Sequence, residues 1–377
     1  MKNFGIYALM LLLFSCGKPE SEATQSFPPA LQFLLMDDSD SIYLASLEAD
    51  ALLLRASAPN EASASLYLSE DRSLLFSMER ASGQINIMEL ARFGKWLPQP
   101  IERPLPTHWT GVQNHALIFN DGDGSVLYTQ ADTAVTAGFS LRVLELEESS
   151  AHHGAALYLN SGTVAMTVKG EQEEGVLPQR VALVDLRSQQ KLLSTEALAL
   201  GGIHGAQSNG TYALFGTMEG ILWIKEDLSY GLIAYPEPLQ NSSGNWIGSL
   251  KGAGSTFVGS ARNLGLFQLD PEAQTIVSLY ASDQVADYQV SADGRYTVVL
   301  RKDNRLALLD NTSLALLQEM PIPDQPETAK GYKIALSEQL LVVAALGYRQ
   351  LQFFDISTLQ PLGQFSSDVV LRDFLVF

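Results

Sequence analysis

One apolar element returns along this chain with a nearly constant beat: Ile42-Tyr-Leu-Ala, Ile85-Asn-Ile-Met, Val126-Leu-Tyr-Thr, Val181-Ala-Leu-Val-Asp, Ile221-Leu-Trp-Ile, Leu264-Gly-Leu-Phe, Leu306-Ala-Leu-Leu-Asp and Leu351-Gln-Phe-Phe-Asp. Successive starts lie 43, 41, 55, 40, 43, 42 and 45 residues apart. A unit this small cannot bury its apolar faces alone and must stack on copies of itself. A period of roughly 40 to 45 residues with about four short strands per unit is that of a β-propeller blade. Short apolar runs broken by Gly, Asn, Asp and Ser, with no long 3.6-residue periodicity, make the whole chain all-β. Eight occurrences predict eight blades, or seven if one repeat is degenerate.

The one long interval is explained by an acidic insertion at residues 170–179, placed between two strands of the fourth unit. The ends of the chain suggest how the ring closes. The first unit lacks an innermost strand, whereas the chain finishes with a spare apolar run at residues 369–377. The C-terminal strand is therefore expected to join blade one, removing the open edge that would template aggregation.

Residues 1–15 read as a lipoprotein signal peptide: Lys2, an apolar run over residues 4–14 too short to span a bilayer, then Ser15-Cys16. Leu13-Phe14-Ser15-Cys16 resembles a lipobox, which makes Cys16 the acylated residue and, as the only cysteine, leaves no disulfide. Gly17 after that cysteine favours the outer membrane under the sorting rule of enteric bacteria, facing the periplasm. Residues 16–29 are a polar, proline-bearing tether and residues 30–377 the propeller domain. The net charge of −18 argues against nucleic acid and would concentrate cations, though acidity also serves solubility alone.

All five histidines fall between residues 108 and 204. His108 precedes the strand starting at Ala116 by eight residues, and His204 precedes the strand starting at Tyr212 by the same eight. His153 precedes Val164 by eleven, so a bulge or longer strand must absorb the difference, and His152 is equally available on spacing. The strand ahead of each middle pair should line the central channel, so His108, His152 or His153, and His204 are expected to converge from blades three, four and five. Three imidazoles with an open or carboxylate-filled fourth position suit zinc. His115, inside a second strand, reads as structural. Asp121 and Asp123 in Asn120-Asp-Gly-Asp-Gly read as turn chemistry. Asp287 and Asp373 are further carboxylates near inner strands, and Glu171, Glu173 and Glu174 read as a solvated loop.

Thr107-His108-Trp109, Ala151-His152-His153-Gly154-Ala155, Ile203-His204-Gly205-Ala206 with Phe215-Gly216, and the hairpin after Phe119 resemble the AztD family of exported zinc metallochaperones. The similarity is concentrated between residues 105 and 225. It implies a propeller that binds zinc through the matching histidines as a monomer and hands it to the solute-binding protein of a zinc ABC importer, with no catalytic turnover. The family's mobile histidine- and acid-rich loop has no counterpart here beyond the acidic insertion. A metal-free propeller scaffold for protein or glycan interaction at the membrane surface is the alternative. A metal-dependent hydrolase ranks third, because no carboxylate is tied to the histidines by spacing. Neither a Gly-x-Ser-x-Gly elbow nor a phosphate loop is present.

Overall fold

The computed structural model describes residues 31–48, 51–61, 63–130, 141–241 and 244–377. The expected signal peptide, Cys16 and the tether lie outside the described residues. The rest forms eight four-stranded antiparallel sheets, each a blade, with no α-helix among the described residues. Each recurring apolar element falls on the third strand of its blade. The acidic insertion lies between the second strand (Thr163–Val168) and third strand (Arg180–Asp185) of blade four.

The second strands explain why the blades stack. Leu74–Glu79, Thr163–Val168, Tyr212–Thr217 and Leu340–Ala345 are buried at every position. A strand covered on both faces has no solvent side, so its sequence is mostly apolar or small where a half-exposed strand would alternate, the buried Glu79 being an exception. The core is correspondingly a series of layers between blades. Leu214 and Ile221 of blade five, for instance, pack with Ile247, Phe257 and Phe267 of blade six.

Closure is by the C-terminal strand. Asp373–Val376 pairs antiparallel with Gln32–Met36, with Phe33 opposite Val376 and Met36 opposite Asp373. It thereby becomes the innermost strand of blade one. Phe374 is fully buried in the same layer as Phe33 and Phe353, whose rings meet edge to face at 5.8 Å. Full burial of one such side chain contributes about 1.5–3 kcal/mol.

Part of the acidity is turn chemistry. Asp71, Asp185, Asp227, Asp293, Asp310 and Asp355 each accept a backbone N–H two or three residues ahead. Such carboxylates hold strand connections in place of backbone partners.

Candidate metal centre

The inner strands carry a recurrent irregularity. The pairing register shifts between Pro106 and His108 in blade three, between Ile203 and Ala206 in blade five, and between Ile247 and Ser249 in blade six. A β-bulge turns a side chain out of the regular alternation, which is how these strands aim residues at the space they surround. In blade five the bulge requires Gly205. Its φ is +80°, and a Cβ there would stand 2.5 Å from the Gly248 carbonyl oxygen. In blade four, His153 lies in an irregular lead-in before the inner strand Ala156–Leu159, which accounts for its eleven-residue offset.

These devices bring three histidines together. His108 Nε2 and His153 Nε2 are 3.0 Å apart, and the ring centroids of His153 and His204 are 5.3 Å apart. All three line one cavity of about 490 Å³, together with Trp109, Gln207 and Gly248. The other ring nitrogens are already committed. His153 Nδ1 donates to Asp121 Oδ2 at 2.9 Å, and His204 Nδ1 donates to the Gly248 carbonyl at 2.7 Å. A carboxylate and a carbonyl can only accept, so both rings carry a proton on Nδ1, and in the neutral form of each ring the lone pair is on Nε2. His153 Nε2 then accepts from His108 Nε2–H.

Electrostatics keep His108 neutral. Burial first, then charge repulsion from His153, push His108 down to about 4. Burial works against ionisation of Asp121, but hydrogen bonds from His153 and Arg80 outweigh it and hold that carboxyl below its ordinary range. Neutral imidazole beside an ionised, hydrogen-bonded carboxylate is the pairing that orients and strengthens histidine metal ligands. Among the described residues, however, no group of three or more His, Cys, Asp or Glu side chains meets the geometry for holding a metal ion as it stands.

The remaining candidates separate cleanly. His152 does not join the three. It is 6% exposed, its Nδ1 donates to the Ser150 carbonyl at 2.7 Å, its Nε2 lies 3.1 Å from Thr167 Oγ1, and its ring meets Phe119 edge on. Both of its nitrogens are engaged within the wall. His115 stacks on Tyr158 at 3.7 Å and bonds the Tyr128 hydroxyl. Asp287 pairs with Lys251 at 2.8 Å, Asp373 pairs with Lys333, and Glu173 pairs with Arg180 at 2.9 Å.

Asp121 is the residue that the turn reading undervalued. Asp123 Oδ1 accepts from the Ser125 N–H at 2.9 Å and is the true turn carboxylate, whereas Asp121 bonds His153 and Arg80. The signal was the doubled acid: a hairpin of this kind needs one aspartate, and the second was surplus.

The class defined here is an eight-bladed β-propeller, clasped by its C-terminal strand, with a histidine cluster at the inner edge of three consecutive blades. No protein-family model matches the sequence, and no curated protein matches it. Among solved structures, the chain is similar to apo AztD from Citrobacter koseri, at 16% identity and a TM-score of 0.76, over 92% of this chain and 98% of that one. A second structure of AztD from that organism gives 17% identity and a TM-score of 0.75 over the same 92% and 98%. The dihydro-heme d1 dehydrogenase NirN in complex with DHE is also similar, at 13% identity and a TM-score of 0.62, over 91% of this chain and 74% of its own. At such identities the likeness is one of fold.

Proposed function

We propose that this protein is a zinc carrier of the cell envelope. It binds zinc through His108, His153 and His204 at the mouth of the propeller channel and passes it to the solute-binding protein of a zinc importer. Cys16, acylated, would hold it at the outer membrane on the periplasmic side. The observation that carries the reading is the convergence of His108 and His153 at 3.0 Å, with His153 backed by Asp121.

Two of the three nitrogens already stand near the spacing that zinc requires. With Zn–N bonds of about 2.0–2.1 Å, two nitrogens of a tetrahedral site stand about 3.3 Å apart. The two Nε2 atoms, now 3.0 Å apart, need to separate by only a few tenths of an ångström. His108 would also have to carry its proton on Nδ1 rather than Nε2, a change of tautomer that leaves the ring neutral and releases no proton. Three protein ligands leave a fourth position open, which suits a cargo that has to leave again. The motif resemblance to the AztD family and the similarity of fold to AztD support the same reading. The proposed role is binding and release, and Asp121, the carboxylate bonded to the cluster, is engaged by His153 and Arg80 rather than placed to activate water.

A second reading, a metal-free interaction scaffold, draws on the fact that His108 and His153 satisfy each other in the present geometry. Zinc titration by competition with a chromophoric chelator separates the two. The protein should bind zinc stoichiometrically, and the variant His108→Ala, His153→Ala, His204→Ala should lose it. Equal, weak binding by both proteins would leave the scaffold.

A further inference from the structure

Blade two supplies one side chain to the cluster. Arg80 follows the buried second strand Leu74–Glu79. Its Nε donates to Thr107 Oγ1 at 3.0 Å, next to His108, and its Nη2 donates to Asp121 Oδ2 at 3.1 Å. That oxygen is the one accepting from His153 Nδ1 at 2.9 Å. Asp121 Oδ1 is buried without a hydrogen-bond partner, so a single oxygen is divided between an imidazole and a cation. Asp121 is 6% exposed, whereas the Arg80 side chain is 54% exposed and opens to solvent.

A carboxylate behind a ligand histidine strengthens the ring as a donor. A guanidinium on the same oxygen draws that charge away, and its own fixed positive charge opposes a cation nearby. We propose that Arg80 is a positioning residue that sets the release rate of the site, holding the metal affinity below what His153 and Asp121 would give alone. The inference rests on the zinc-binding reading above. A purely structural Arg80, present only to pin Asp121, predicts the opposite sign, because its loss would loosen the carboxylate and weaken the metal.

The test compares the protein with Arg80→Gln and Arg80→Lys. Zinc affinity is measured by chelator competition, release by stopped-flow transfer to the chelator, and ligand identity by the cobalt(II) absorption spectrum. Arg80→Gln should bind zinc more tightly and release it more slowly by roughly three- to tenfold, less than removal of a directly bonded partner because Arg80 is one contact further out and half exposed. Arg80→Lys should keep near-native rates, and all three cobalt spectra should match. Weaker binding or unchanged release in Arg80→Gln would overturn the inference alone. No zinc binding by the unaltered protein would overturn the proposed function, and this inference with it.

Discussion

His108 and His153, 45 residues apart in sequence, place their Nε2 atoms 3.0 Å from each other. Two neutral imidazoles at that distance share one proton between two nitrogens. The arrangement is therefore closed as it stands and can open by a small ring movement. The pair stays hydrogen-bonded to itself in this arrangement.

The carboxylate behind His153 should matter more to metal than to folding. Asp121→Asn keeps the shape but loses the charge, and zinc affinity should fall about 10- to 100-fold, the usual effect of removing such a partner. Asp123→Asn, which keeps an acceptor for the Ser125 N–H, should leave zinc affinity at the native value. Chelator competition on both variants reads the difference.

His152 should show the reverse pattern. Its replacement by alanine leaves the Ser150 carbonyl short of a partner inside the wall, at a cost of about 1–3 kcal/mol, whereas the Thr167 hydroxyl keeps the N–H and carbonyl of Ala155. Thermal melts should show a lower midpoint, while zinc stoichiometry stays native.

Acid should destabilise the metal-free protein through His108. Its pKa falls from 6.5 to about 4 on folding, so between those values the unfolded chain binds a proton that the folded one refuses. Stability from this group is complete above about pH 6.5 and is lost as pH falls toward 4, on the order of 3 kcal/mol in all. Burial lowers His152 as well, in the same direction. Urea melts at about pH 7 and about pH 4.5 should show this slope, and His108→Gln should flatten it.

Removal of residues 372–377 deletes the inner strand of blade one and the buried ring of Phe374. The ring alone is worth about 3–5 kcal/mol by comparison with phenylalanine-to-alanine substitutions, and the exposed edge of Gln32–Met36 would be free to pair with other chains. Size-exclusion chromatography and melts should show aggregation or a strongly lowered midpoint; a monomer of native stability would contradict the clasp.

The blade count, the all-β class, the position of the insertion and the C-terminal clasp were all legible in the residues. Each depends on runs of apolar side chains, and whether a strand is buried on one face or both is written in a few consecutive positions. The placing of His108 and His204 on inner strands followed from the same periodicity. The different surroundings of His152 and His153 did not, because adjacent residues in an irregular lead-in have no fixed alternation, and His152 packs against Phe119 and Thr167 through contacts that no local pattern encodes. The roles of Asp121 and Arg80 were hidden for a related reason. Asp121 reaches a histidine 32 residues ahead and an arginine 41 residues behind, across two blade boundaries. Contacts of that sort depend on how blades settle against one another to within an ångström, and no local pattern encodes that distance.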